Sequence, residues 1–386
     1  MTVTPGRLVL VGGGHAHLFV LEGLARGELA ARQVVLISPT KEQAYSGMVP
    51  GWIGGRYERD ELVFDLPALA RAAGAEFLRG RAARIDTMTR QIEVEGAGRI
   101  RFDVASVSIG SVASGTDLPG VAKHALHVKP IHHAGRIVPA LEEAATANPA
   151  LRIVVVGTGT AGFELALAVR GRLDTMLGDR RAEITLVGAS EELVPDRAPA
   201  ARRAAHRALK RNAVTVRLGA TVEGAEPGQL RLAAESLPFD LLIWAAGPAA
   251  PTIFRDSGLA TDDAGYLLVD DSLRSIADHA IFGAGDAITL RDHPETAKAG
   301  VYAVREGPIL CDNLAAALRG EHPKSAYQPQ PKFLALLNTG DGRAICSYGR
   351  FALTGRWAMQ LKDRIDRAFM KRFRSLGSKR VKIEKK

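Results

Sequence analysis

The chain has 386 residues, 46% apolar and 24% charged, the balance of an ordinary globular protein with room for two or three domains. No apolar run is long enough to span a bilayer, and the first, Arg7 to Val11, runs straight into glycines and lacks the form of a signal peptide, so the cytoplasm is the expected location. Two distant cysteines, Cys311 and Cys346, exclude a disulfide framework and a CxxC motif, and the net charge of +9 sits at one end, where Arg356 to Lys386 carries twelve Lys/Arg against three Asp/Glu.

In chain order, Leu8 to Val11 is a continuous β-rich run, the pattern of a buried parallel strand. Gly12-Gly13-Gly14 follows, then a helical stretch with Leu18, Val20, Leu21 and Leu24, then a strand at Val34 to Ile37. This is a βαβ unit. The same grammar returns later: strand Ile153 to Val156, turn Gly157 to Gly162, helix Phe163 to Leu173, strand Ile184 to Val187. Shorter β segments are expected at Gln91 to Val94, Ala105 to Ile109, Val214 to Leu218, Leu241 to Ala245 and Ala280 to Phe282. Pro/Gly clusters at Asp117 to Gly120 and Gly247-Pro248 read as crossings between domains.

A pyrophosphate needs close backbone approach and N–H donors at a helix N-terminus, which is why glycines stand between strand and helix. Gly157-Thr-Gly159-Thr-Ala-Gly162 is a full GxGxxG in that context. Gly12-Gly-Gly14-His15-Ala-His17 has a histidine where the third glycine belongs. The two histidines invite a metal reading, but their flank is a phosphate turn and no further ligand set accompanies them, so no metal is expected. The acid that usually binds the ribose about twenty positions on is replaced by Ser38 in the first unit and by Gly188 in the second, with Glu191 and Glu192 further on. A third glycine segment, Gly283-Ala-Gly285-Asp286, ends a strand with one acid.

Taken in order, the two glycine turns, Trp244-Ala-Ala-Gly247 and Gly283-Ala-Gly-Asp286 resemble the flavoprotein superfamily with two dinucleotide-binding domains. Within it the chain is similar to type II NADH dehydrogenases. More narrowly, it resembles the branch associated with selenide, water dikinase. The segments Tyr45-Ser-Gly-Met-Val-Pro-Gly51, Lys298-Ala-Gly-Val-Tyr-Ala-Val-Arg-Glu-Gly307 and Leu361-Lys-Asp-Arg-Ile-Asp-Arg367 carry that likeness. The resemblance implies an α/β fold of two Rossmann-like domains, the second inserted in the first. An FAD-binding domain would span 1–120 and 248–325, an NAD(P)H-binding domain 121–247, and a small C-terminal α/β region 326–386.

The resemblance also implies roles. Gly12, Gly14, His15, Ser38, Ala82, Gly110, Gly285 and Asp286 would hold FAD, with Pro50 near the isoalloxazine and the helix from Ala299 pointing its positive end at the flavin. Gly157, Gly159, Thr160 and Gly162 would bind NAD(P)H, and Gly247 would let the nicotinamide approach. Glu164, which equally fits an ordinary first-turn acid, and Lys298 are the candidate catalytic side chains. The expected reaction passes hydride from NAD(P)H to the flavin and electrons on to a quinone or another small acceptor. The CxxxxC or CxxC pair of disulfide reductases is absent. Sulfide:quinone chemistry through Cys311 and Cys346, a soluble reductase serving selenium metabolism, and a flavin-binding partner protein are the alternatives.

From Arg356 to Arg374 the helical period returns, with Trp357, Leu361, Ile365, Ala368, Phe369 and Phe373 on one face and Arg356, Lys362, Arg364, Arg367, Lys371 and Arg372 mostly off it. A basic amphipathic helix of this kind suits an anionic membrane surface, here the inner face of the cell membrane. Packing on its own protein or on a second copy in a homodimer is the alternative. The tail Ser375 to Lys386 reads as disordered, and no nucleic-acid recognition fold accompanies the basic end.

Overall fold

The computed structural model describes residues 6–148, 150–178 and 182–379. Strands β1 (Arg7–Val11), β2 (Gln33–Ser38), β3 (Glu76–Arg79) and β4 (Val104–Val107) lie parallel in the order β4–β1–β2–β3. The chain then enters a second parallel sheet made of β5 (Ala125–His127), β6 (Arg152–Val156), β7 (Glu183–Val187), β8 (Val214–Arg217) and β9 (Leu241–Trp244), in the order β5–β9–β6–β7–β8. It returns with β10 (Ile281–Gly283), which pairs parallel with β4 and completes five strands in the first sheet. The second unit is thus inserted in the first. Leu8 to Val11 and Ile153 to Val156 are buried throughout, as continuous apolar runs require when helices cover both faces of a sheet.

The two crossings run side by side. Val112–Ala113 pairs antiparallel with Pro248–Ala249, and the Ser114 N–H donates to the Gly247 carbonyl at 2.8 Å. The Trp244 indole N–H donates to the Ser114 carbonyl at 2.7 Å, so this buried aromatic has its polar atom satisfied.

Helix α1 (His15–Arg26) follows the first glycine turn and α2 (Thr160–Leu177) the second. Helix α3 (Gly300–Leu318) packs on α1. Small residues let the two helices close: a Cβ at Gly307 would lie 2.3 Å from the Phe19 ring, and one at Gly23 would lie 2.4 Å from Cys311 Sγ. Cys311 sits inside α3, on the buried face that continues through Leu310, Leu314 and Ala315.

The C-terminal region is an antiparallel sheet of β11 (Ala335–Asn338), β12 (Ala344–Tyr348) and β13 (Phe351–Gly355), followed by α4 (Arg356–Lys379). Two expectations change here. Ser375 to Lys379 continue the helix, while residues 380–386 of the expected tail lie outside the described residues. The expected apolar face is also split. Phe369 and Phe373 turn inward with Met370 and join Phe19, Phe64 and Tyr45 in one aromatic cluster. Burial of Phe373 alone contributes roughly 2–3 kcal/mol. Trp357 and Ile365 remain 48% and 44% exposed. The charged pair Lys362 and Asp366 fills the inward stripe instead, because the Lys362 ammonium donates to Asp366 at 3.0 Å and to the Gly47 carbonyl at 2.7 Å. Arg372, itself still exposed, forms a forked pair with the buried Glu22 of α1 at 2.6 and 3.0 Å.

Candidate dinucleotide-binding sites

In the second unit the glycines divide their work. Gly157 has φ +118°, and a Cβ there would strike the Ala245 carbonyl at 2.3 Å. A Cβ at Gly162 would lie 1.7 Å from the Gly157 carbonyl, so only glycine lets α2 begin so close to β6. Gly159 is different. It caps α2 in extended conformation, and nothing of the protein stands within 4 Å of where its Cβ would be. That open space before unpaired helix N–H groups fits a dinucleotide pyrophosphate. Thr160 Oγ1 faces Asp196 at 3.3 Å. Gly188 has a steric reason: any side chain would meet Thr158 at 2.8–3.0 Å, which leaves no room for the acid expected at that position. Of the two later acids, Glu192 is paired with Arg202.

The first turn reaches the same end by other means. Gly12 has φ +92°, and Cβ atoms at Gly12 and Gly14 would lie 2.4 Å from the Ser108 carbonyl. His17 occupies the third glycine's place with no exposure. Its Nδ1–H donates to the Gly12 carbonyl at 2.6 Å, so Nε2 must accept, and the Ser106 hydroxyl on β4 supplies that proton at 2.9 Å. Burial pushes the His17 pKa down to about 4, which keeps the ring neutral and the tautomer fixed. The histidine therefore ties helix to strand where glycine would merely allow contact. Ser38 ends β2, buried, and accepts from the Thr40 N–H at 3.3 Å. Gly110 has φ +71° with open space beside it, and Ala82 starts the short strand Ala82–Asp86. Pro50 is buried in the short helix Val49–Ile53.

Gly285 and Asp286 lie beside these turns. Asp286 Oδ2 accepts from the Lys129 ammonium at 2.9 Å and from the Ser111 hydroxyl at 3.2 Å, and the Lys129 ammonium also donates to Ser111 Oγ at 2.6 Å. The Gly285 N–H donates to the buried Glu306 carboxylate at 2.5 Å. Burial pushes the Glu306 carboxyl up to about 7. A small cavity is lined by Gly285, Asp286, Lys298, Ala299, Tyr302 and Glu306. Lys298 turns from Asp286 to the Ile288 carbonyl and to the Thr289 hydroxyl at 2.8 Å, with its ammonium 4.2 Å from the Tyr266 ring centroid. Ala299 caps α3 in extended conformation.

A second locality forms where α3 begins. A side chain at Gly300 would come within 3.4 Å of Ser46 Oγ and 3.9 Å of His15 Nδ1. The His15 Nε2 is buried without a hydrogen-bond partner, its pKa is pushed down to about 4 by burial, and its ring meets Tyr45 edge-on at 5.4 Å. Tyr45 stacks on Phe369 at 4.6 Å and bonds to Asp366. An unpaired imidazole nitrogen in an apolar cage is a costly arrangement that a ligand oxygen or N–H would relieve.

Glu164 is drawn away from the glycines: its carboxylate accepts the Asn338 N–H at 2.7 Å, and burial raises its pKa. Neither thiol is shifted toward its thiolate form. Burial pushes Cys311 up to about 12 and raises Cys346, which packs with the separate C-terminal cluster of Ala344, Ala358 and Met359. Among the described residues no His/Cys/Asp/Glu group could hold a metal. Sequence reasoning missed Lys129, Ser111, Ser106 and Glu306. Only Glu306 left a signal, as an acid on the buried face of a helix within the segment Lys298 to Gly307.

Residues 6–307 match the pyridine nucleotide-disulphide oxidoreductase family. An NADH dehydrogenase-like protein of Mycobacterium tuberculosis is 30% identical over 297 residues, 74% of this chain and 73% of that protein. A demethylphylloquinone reductase of Synechocystis is 24% identical, over 88% of this chain and 87% of that protein. The solved sulfide:quinone oxidoreductase of Aquifex aeolicus superposes with a TM-score of 0.80 at 16% identity, over 96% and 92% of the two chains. With both glycine turns, the inserted second unit and the Gly283 to Asp286 segment in that family's arrangement, the chain belongs to the pyridine nucleotide-disulphide oxidoreductases.

Proposed function

We propose that this protein is an FAD-dependent oxidoreductase that takes a hydride from NAD(P)H and delivers electrons to a quinone-like acceptor. The observation that carries the reading is the pair of dinucleotide cradles on two linked units with no activated thiol beside either. Bound FAD would supply the redox chemistry, receiving hydride and releasing electrons. The chain binds, orients and excludes water. Gly12, Gly14, Ser38 and Asp286 hold the first dinucleotide, and Gly157, Gly159 and Thr160 the second. Demethylphylloquinone, named as the substrate of one relative, supports a quinone as acceptor. The two thiols lie in separate clusters, Cys311 buried and Cys346 half-buried, and that separation argues against a sulfide route.

The three segments that suggest the branch associated with selenide, water dikinase support that finer reading by converging on one place. Tyr45 and Gly47 bond to Asp366 and Lys362, and Gly300 abuts Ser46 and His15. We assign the acceptor to that end of the molecule. The test is anaerobic mixing with NADH and with NADPH, followed by a quinone. Bleaching of the flavin band by either nucleotide and its return with quinone is the expected result; a flavin untouched by both nucleotides would sink the reading.

The membrane reading rests on Phe351, Leu353, Trp357 and Ile365, exposed beside Arg356 and Arg364. Among the described residues no helix is long and apolar enough to cross a membrane, so the contact would be interfacial. The double substitution Trp357→Glu and Ile365→Glu is expected to abolish flotation with anionic liposomes; unchanged flotation would remove the claim and leave a homodimer contact as the use of that face.

A further inference from the structure

Lys129 stands on the second unit. The neighbouring Val128 N–H donates to the Trp244 carbonyl at 3.2 Å, which anchors the segment to the end of β9. Yet its ammonium reaches out of that unit to Ser111 and Asp286, both of the first. The three groups form a closed triangle with sides of 2.6, 2.9 and 3.2 Å. Among the described residues this is the one ion pair that joins the two glycine-turn units. The other nearby lysine, Lys298, is committed to Ile288 and Thr289. Asp286 thus takes its orientation from a cation that belongs to the opposite domain.

We infer that Lys129 is a positioning residue that couples the two cofactor sites: it aims the Asp286 carboxylate at the first dinucleotide and fixes how closely the second unit sits over it. The inference rests on the reading of the two cradles as FAD and NAD(P)H sites. Two physical consequences follow. A carboxylate stripped of its ammonium would face the FAD phosphates as an uncompensated negative charge, so FAD would be held less tightly. Hydride transfer depends steeply on the separation and alignment of donor and acceptor, so loosening the link between the units should slow it. The acceptor end assigned above, at Tyr45, Gly47 and Gly300, lies on the first unit and away from the Lys129 contact, so the quinone reaction should be unaffected.

The experiment compares holoenzymes carrying Lys129→Met and Lys129→Arg. FAD release after dilution is followed by the rise in flavin fluorescence. Stopped-flow reduction by NAD(P)H gives a limiting rate and a half-saturation, and reoxidation by quinone after photoreduction gives the second half-reaction. The Met variant is expected to release FAD about tenfold faster, the scale of one charge-assisted hydrogen bond, and to show a lower limiting reduction rate with reoxidation unchanged. The Arg variant should recover most of both. Wild-type FAD release and reduction in the Met variant would overturn the inference. Equal slowing of both half-reactions with a lowered thermal midpoint would overturn it too, marking a merely structural lysine. If the wild-type flavin is not bleached by either nucleotide, the proposed function fails on its own terms, and the FAD-release comparison still decides whether Lys129 serves the first site.

Discussion

Glu306 offers the most direct test of the electrostatics around the first cradle. It is 2% exposed and accepts the Gly285 N–H, and burial raises its carboxyl from 4.5 to about 7. A tenfold change in proton affinity is worth about 1.36 kcal/mol, which gives about 3 kcal/mol for the whole displacement. The sign follows from proton counting. Between about pH 4.5 and 7 the native state keeps a proton that the unfolded chain has lost, so the contribution is complete below that window and is lost as pH rises through it. Glu306→Gln keeps an oxygen for Gly285 and cannot ionise. The variant and the wild type should therefore be about equally stable near pH 4.5, and the variant should be more stable by about 3 kcal/mol near pH 8.5. His15 and His17 also titrate abnormally, but both proteins contain them and their effects cancel in the difference. Denaturant unfolding of the FAD-loaded proteins at several pH values, read by tryptophan fluorescence, measures the gap. A gap that stays constant from pH 4.5 to 8.5 would refute the argument.

Gly162→Ala should fail to fold or lose much of its thermal stability, whereas Gly159→Ala should fold normally and raise the NAD(P)H half-saturation about tenfold, because its methyl enters space reserved for ligand. Circular dichroism and stopped-flow reduction separate the two; equal folding defects would mean that Gly159 is a packing glycine. His17→Gly, which restores the fingerprint, should cost about 2–4 kcal/mol by emptying a buried site and unpairing Gly12 and Ser106. It should also weaken the acid sensitivity that a histidine held near 4 imposes, since that stability is present above about 6.5 and lost as pH falls towards 4. Thermal unfolding at pH 5 and 7 gives both values. Lys362→Met should destabilise by about 3–5 kcal/mol, and adding Asp366→Leu should restore most of it, because a buried charge without its partner is the costly state. A double variant no better than the single one would contradict this account.

The architecture was legible because its signals are local. The glycine turns and the apolar runs at Leu8 to Val11, Val34 to Ile37, Ile153 to Val156 and Ile184 to Val187 all became strands or turns within a residue or so of the expected bounds. Helix periodicity also located α4, but not its orientation. Which stripe faces inward depends on Lys362 finding Asp366 and the Gly47 carbonyl, a partner far away in sequence. The same limit hid the Lys129, Ser111 and Asp286 triangle, whose members are separated by 18 and 157 residues. His17 looked like a defect in a fingerprint. Only the distances to Gly12 and Ser106 reveal it as a replacement. Glu164 looked like a first-turn acid aimed at a ligand, and its bond to Asn338 gives it a second employment.

The adjacent crossings have a consequence for how the chain acquires its shape. Everything the second sheet requires lies between Ala125 and Trp244, so it can close as soon as that stretch is available. The first sheet must wait for β10, which reaches β4 only after the entire insert has been made. During synthesis the inner unit should therefore mature first, while the earlier-born outer unit stays incomplete with one edge of β4 open. The paired strands Val112–Ala113 and Pro248–Ala249 then bring the late segment back to the point from which the chain departed, so a long detour in sequence becomes a short step in space.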